Sequence, residues 1–244
     1  MDDSDKPLAY IIGDQPFLGL KIYLDSKPLI PRPETEWWVD QLSEETSIAI
    51  SEGSATRRRE AQQISSRKLC VLRNCNAGFR FLDLCAGSGA IGCAALARLP
   101  NAQVYFGEID PAHEATILKN IRENNLDERH AHICIGDLFE PFGDMKFDVI
   151  AANPPYIPKG RLLPKSVADY EPSLALYAGE DGLEIIRNIA TTVRRHLTEN
   201  GVLWLECDSA HAAAACALFT AEGLSAKIRN DQYGAPRIIV VSLS

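Results

Sequence analysis

Asp83-Leu84-Cys85-Ala86-Gly87-Ser88-Gly89-Ala90-Ile91 joins a strand-like run, Phe79–Leu84, to a run of small apolar residues, Ala90–Leu99, that reads as a helix. Glycines at 87 and 89 let the backbone turn tightly and approach a ligand closely, just ahead of a helix N-terminus. The same rhythm continues downstream. Val104–Glu108 reads as a strand, Pro111–Asn124 as a helix, His132–Ile135 and Phe147–Ala152 as strands, Gly182–Leu197 as a helix and Val202–Cys207 as a strand. Ala210–Glu222 is a last helix, followed by strands near Ser225–Arg229 and Arg237–Leu243 with no helix between them. Strands alternating with helices imply an α/β fold with a mainly parallel sheet covered on both faces; the final pair suggests an antiparallel C-terminal edge. In such sheets ligands bind beyond the carboxyl ends of the strands, so the segments after each strand are where chemistry is sought.

Glu108 stands nineteen residues after Gly89 at the end of the second strand, placed to accept from both hydroxyls of a ribose. The third strand is followed by Gly136-Asp137-Leu138-Phe139. Asp137 is placed to accept from an adenine amino group, with Leu138 or Phe139 against the ring. The loop lacks the third glycine of a dinucleotide fingerprint, and no Gly-Lys-Ser or Gly-Lys-Thr follows it. A nucleoside cofactor without phosphates is therefore expected. The bland alternative makes Glu108 and Asp137 solvated helix caps; Asp110 and Pro111 fit a cap and first helical residue.

Asn153-Pro154-Pro155-Tyr156 follows the fourth strand directly. Two prolines remove two backbone donors and leave the carbonyls around them free to accept. The Asn153 side-chain oxygen and the Pro154 carbonyl can hold the two N–H donors of a planar –NH2, with Tyr156 stacked on the flat group. An amide nitrogen is a poor nucleophile because its lone pair is delocalised. Acceptors that draw its hydrogens out of plane favour a pyramidal nitrogen, so positioning and electrostatics carry the catalysis rather than a strong base. Otherwise the motif is only a loop breaker, and alone it does not choose between a glutamine amide and an adenine.

The remaining chain is ordinary for a soluble enzyme: 46% hydrophobic and 24% charged over 244 residues. A net charge of −8 argues against non-specific nucleic-acid binding. Seven cysteines without a Cys-x-x-Cys pair read as reduced thiols; neither a disulfide frame nor a metal site is expected. No run approaches about eighteen apolar residues, so no membrane span is expected. The acidic start Met1–Pro7 lacks a targeting pattern. Ala9–Ile12 and Leu20–Leu24 suggest a small N-terminal β-hairpin leading into Ile30-Pro31-Arg32-Pro33, then a helix over Glu34–Leu42. Ser43–Lys68 is polar with weak periodicity and reads as a surface insertion, partly helical or disordered; its Arg57-Arg58-Arg59 run is a solvated cluster before it is an RNA contact.

Taken together these motifs resemble the PrmC/HemK family, the release-factor glutamine methyltransferases. The likeness runs from about Pro7 to the C-terminus and includes Tyr10–Gly13 with Phe17 and Gly19, Leu29–Glu36, the Asp83–Ile91 loop, Asn153–Tyr156, Tyr170–Pro172 and Ala178–Leu183. Pro31-Arg32-Pro33-Glu34-Thr35-Glu36 is its most specific part. The resemblance implies a seven-stranded, Rossmann-like class I methyltransferase, with residues 1–33 as hairpin and linker and 34–244 as the domain proper. It implies methyl transfer from S-adenosylmethionine to the N5 of the glutamine in the Gly-Gly-Gln motif of a class 1 release factor. The cofactor would be held by Phe17, Arg32, Glu34, Asp83, Gly87, Gly89, Glu108, Asp137, Leu138 and Asn153. Asn153, Pro154 and Tyr156 would be catalytic, and the glutamine would lie against these three, Pro155 and Phe17.

Three features depart from the family. Its helical N-terminal domain is missing. Glu206-Cys207-Asp208 with His211 replaces the usual Glu-Ile-Gly and later Gln, which bears on the turn rather than the chemistry, and Cys85 stands where a glycine is frequent. His211 is read as a helix-start residue, not a base. An adenine-N6 methyltransferase, a ribosomal-protein glutamine methyltransferase and a non-catalytic binding subunit are the competing readings. The insertion and the altered turn favour the mitochondrial matrix over the cytoplasm, and a single-chain protein without direct nucleic-acid contacts is expected.

Overall fold

The computed structural model describes residues 5–63 and 78–244. Its N-terminal part differs from expectation in one arm. Leu8–Ile12 is a short helix, α1, and the antiparallel hairpin is made by β1 (Asp14–Phe17) and β2 (Leu20–Tyr23). Apolar spacing over five residues cannot separate the two conformations; Pro7 opens the helix and Gly13, at φ +94°, closes it in the left-handed region. The hairpin turns on Leu18 and Gly19, both at positive φ, which matches the twist of the strands.

α2 runs from Pro33 to Gln63, so the expected helix over 34–42 continues through most of the expected insertion. Nothing in residues 43–63 stops it: there is no proline, and Gly53 alone costs about 1 kcal/mol in a helix. Arg57–Arg59 falls within this helix. The last part of the expected insertion, 64–68, lies outside the described residues, as do Cys70 and Cys75.

β3 (Arg80–Leu84), α3 (Ala90–Arg98), β4 (Gln103–Glu108), α4 (Glu114–Glu123), β5 (Ala131–Ile135) and β6 (Phe147–Ala152) follow the expected alternation. Short helices α5 (Lys165–Ala168) and α6 (Ser173–Leu176) lead to α7 (Glu184–Thr192), β7 (Leu197–Glu206), α8 (Ala212–Ala221), β8 (Ser225–Asn230) and β9 (Pro236–Ser242). Seven strands form one sheet in the order β5-β4-β3-β6-β7-β9-β8. β5 through β7 pair in parallel, and β9 runs antiparallel to both β7 and β8. From β3 the chain winds outward to β4 and β5, then returns to β6 on the other side, so the order reverses between β3 and β6. That reversal opens a crevice at the carboxyl ends of these two strands.

Both faces of the sheet are covered. On one side Phe81, Val104, Phe106, Ile117 and Ile121 pack with Trp38 and Val39 of α2 and with Phe17, Ile22 and Leu24 of the hairpin region. On the other, Leu82, Ile150 and Leu203 pack with Ile186 and Ile189 of α7 and Phe219 of α8. The hairpin region is thus part of the main core. Among the described residues no helix is long and apolar enough to cross a membrane, and the five described cysteines are free thiols.

Candidate active site

The glycine loop after β3 turns through three left-handed residues, Cys85 (φ +63°), Gly87 (+55°) and Gly89 (+76°). A Cβ on Gly89 would press on Ile117 and Phe106, so glycine serves there by space as well as by conformation. Cys85 tolerates a position that suits glycine at a cost of about 1–2 kcal/mol. Two carboxylates hold the loop from below and beside. Asp83 has no exposed surface, and its Oδ2 accepts from the Gly92 N–H at 2.8 Å. Glu108 accepts from the Gly87 N–H at 2.7 Å and from the Asp110 N–H at 2.9 Å. Asp110, not Glu108, is the helix cap, accepting from the Ala112 N–H at 2.8 Å. A carboxylate offers about four acceptor sites, so Glu108 keeps two for a ligand.

Glu108 opens into a cleft over the β3–β6 crevice whose lining includes Leu29, Cys85, Gly87, Ile109, His113, Asp137, Leu138, Asn153, Pro155, Pro172, Leu174 and Ile185. Leu138 sits at φ +45°, a conformation leucine rarely adopts, held where the cleft is formed. Among the described residues no lysine or arginine lines the cleft. A diphosphate would find no counter-charge there. A nucleoside with a cationic sulfonium, by contrast, meets three carboxylates, Glu108, Asp110 and Asp137, in a largely apolar lining. The donor and acceptor chemistry therefore fits S-adenosylmethionine.

Of the sequence-derived candidates, Gly87, Glu108, Asp137, Leu138, Asn153 and Pro155 come together in this cleft. Others are placed differently. Phe17 is 1% exposed and belongs to the core, because β2 is tied down on α4 by Asn120 and Asn124, which accept from the Tyr23 and Lys21 N–H groups. Expected against the cofactor and glutamine, it does not border this cleft. Asp83 and Gly89 shape the loop from beneath. Arg32 forms an ion pair with buried Glu171, whose Oε2 also accepts from the Ile30 N–H at 3.2 Å. That pair ties the segment carrying Leu29 to the segment carrying Pro172 and Leu174, all three of which line the cleft. Glu34 begins α2 outside the cleft.

Beneath Asn153 lies a polar network of Thr35, Trp38, Tyr156 and Glu206. Asn153 Nδ2 donates to Thr35 Oγ1 (3.2 Å), and Thr35 donates to Glu206 Oε2 (2.6 Å). Trp38 Nε1 donates to the same oxygen at 2.8 Å, and the Tyr156 hydroxyl donates to Oε1 at 3.2 Å. Burial pushes the Glu206 carboxyl above its usual range, against these donors and the charge of Arg237; burial likewise raises Tyr156. Pro154 is buried, and Pro155 rather than Tyr156 borders the cleft. Thr35, Trp38, Glu171 and Glu206 carry no signal of their own as site residues in the sequence. Thr35 and Glu171 stand within segments quoted for their resemblance and Glu206 within one quoted as a departure, but 171 positions separate the hydrogen-bonded side chains of Thr35 and Glu206. The altered turn after β7 is closed locally: Asp208 accepts from the Ala210 N–H at 2.8 Å and pairs with Arg161.

A family model described as the methyltransferase small domain matches residues 65–168. A release factor glutamine methyltransferase from Thermodesulfovibrio yellowstonii is 33% identical over 98% of this chain and 77% of its own length. The chain belongs to the release factor glutamine methyltransferase family. A protein of the same description from Geobacter sulfurreducens is 32% identical over 96% of this family member and 72% of itself. Among solved structures, the hMettl16 catalytic domain in complex with MAT2A 3'UTR hairpin 6 aligns with a TM-score of 0.58 at 17% identity, over 93% of this chain and 76% of that one. At that identity the likeness is one of fold.

Proposed function

We propose that this family member transfers a methyl group from S-adenosylmethionine to the side-chain N5 of the glutamine in the Gly-Gly-Gln motif of a class 1 release factor. The observation that carries the reading is the placement of Asn153 and Pro155 at the crevice between β3 and β6, in the cleft that also holds Glu108 and Asp137. Glu108 would take the ribose hydroxyls, Asp137 the adenine amino group and Leu138 the ring face, while Gly87 lets the backbone come close. When bound, the cofactor supplies a sulfonium methyl that a nitrogen can take in one displacement. Asn153 Oδ1 and the Pro154 carbonyl would accept the two amide N–H groups and so orient the nitrogen and free its lone pair. Bound S-adenosylmethionine would supply the methyl, its S–C bond breaking as the C–N bond forms, and the protonated N-methyl amide, a strong acid, would release its extra proton to water. No general base is required.

The test is a labelled-methyl assay with a release factor, ribosomes and DNA as separate substrates. Label in the release factor, lost when its Gly-Gly-Gln glutamine is changed, is expected; label only in nucleic acid would support the adenine reading, and label only in ribosomes the ribosomal-protein reading. Asn153→Ala is expected to bind cofactor normally and to lose at least about 100-fold in kcat, as for removal of an oriented polar group from a transition state. Retained turnover would refute its role. Action as a single chain on a protein substrate belongs to the same proposal. A mitochondrial matrix location rests on the inserted segment expected over 43–68 and the turn at Cys207-Asp208 alone, since the relatives named above are bacterial; fractionation of the source cells decides it.

A further inference from the structure

We infer that Glu206 and Thr35 are positioning residues that set which face of the Asn153 amide meets the substrate. The inference rests on the functional reading above for its kinetic consequence, but not for its geometry. Trp38 Nε1 can only donate, so it and the Tyr156 hydroxyl engage Glu206 as an acceptor on both oxygens. Thr35, 4% exposed, gives its single proton to Glu206 Oε2 at 2.6 Å. The Thr35 oxygen is then left only to accept, and the group 3.2 Å away must be the donating half of the Asn153 amide. With Nδ2 turned to Thr35, Oδ1 is the half presented outward as the acceptor that an –NH2 substrate needs. A flipped Asn153 would present N–H to N–H, which repels the substrate instead of holding it. The same carboxylate anchors Tyr156, so both ends of the Asn153–Tyr156 motif hang on one side chain delivered by the end of β7.

Thr35→Val preserves shape and removes the relay, and Thr35→Ser restores the hydroxyl. Two readouts test the relay. In 15N-labelled protein, the Asn153 side-chain amide signals are identified by their loss in Asn153→Ala, and their hydrogen exchange is measured without any substrate. Exchange is expected to be at least about tenfold faster in Thr35→Val, since a part-buried hydrogen bond is lost, and near wild type in Thr35→Ser. With the release factor, kcat is expected to fall about 100-fold in Thr35→Val while KM for the cofactor changes little, and Thr35→Ser recovers most of kcat. Exchange or kcat within about twofold of wild type in Thr35→Val, or a Thr35→Ser variant as impaired as Thr35→Val, overturns the inference. If Thr35→Val does not fold, Thr35→Ala serves instead: it also removes the hydroxyl that joins Asn153 to Glu206, so the same loss of kcat and faster exchange are expected, and unchanged values overturn the inference equally. A wild-type protein that methylates no release factor defeats the functional reading while the exchange measurement still decides the relay.

Discussion

Asp83 and Glu108 end adjacent strands and both bond to backbone N–H groups around the glycine loop, yet their surroundings differ. Glu108 borders the cleft; Asp83 lies under the loop, and its Oδ1 has no partner among the described residues. Burial therefore holds the Asp83 carboxyl well above its ordinary range, with the Gly92 N–H opposing the shift and the charge of Glu108 adding to it. A raised pKa means that the folded chain keeps this proton to higher pH than the unfolded chain does. The stability this confers is complete below the ordinary value of about 4 and is lost as pH rises through the raised one. Asp83→Asn removes that dependence. The unfolding free energy of the wild type is expected to fall relative to Asp83→Asn between about pH 4 and pH 7, as read by urea unfolding at each pH; parallel curves would contradict it. The sequence placed both carboxylates at strand ends. Glu108 reads from its place as a ribose acceptor, and Asp83 as a cofactor residue only through the family resemblance; that Asp83 lies under the loop was not legible, because this depends on the depth of a loop rather than on residue type.

At the scale of elements, β6 lies where its apolar run placed it, and most other strands and longer helices follow with small changes at their ends, but β7 starts at Leu197 rather than Val202 and α7 ends at Thr192 rather than Leu197. Period and turn residues suffice for elements that are long or wholly buried. They fail for α1, which is only five residues long, and for α2, whose continuation past Leu42 rests on the lack of a breaker in a polar stretch. Close approach between elements is also invisible in a pattern. Gly92 reads as one more small residue of α3, yet a Cβ there would run into the ring of Phe106 on β4, which has no exposed surface and no room to yield. Gly92→Ala is expected to destabilise the fold by about 1–3 kcal/mol despite the better helix propensity of alanine, as overpacking does. The loss is measured as a lower denaturant midpoint at unchanged slope; an equal or higher midpoint would show that α3 can move away from β4.

Over the whole molecule, the division at residue 33 into a hairpin with its linker and a domain proper describes the chain order better than it describes the core. Phe17, Ile22 and Leu24 are each at most 3% exposed and lie in one cluster with Trp38 and Val39 of α2 and with Phe81 and Phe106 of the sheet. The hairpin is held by polar contacts as well: Asn120 bonds to the Tyr23 N–H, and Glu36 accepts from the Leu18 N–H at 2.7 Å. The segment, short and rich in turn residues, reads only as a hairpin and linker, and only the long-range packing reveals its burial. Full burial of each of these three side chains contributes about 1.5–3 kcal/mol, so together they match a large part of the about 5–15 kcal/mol that a domain has in total. Removing residues 1–24 would also uncover Trp38, whose indole holds Glu206 beneath Asn153. The truncated chain is therefore expected to lose cooperative unfolding and cofactor binding together, measured by near-ultraviolet circular dichroism during a denaturant titration and by calorimetry with S-adenosylmethionine. A truncated chain that unfolds cooperatively with the full-length midpoint would mean that the sheet and α2 complete their core without the hairpin.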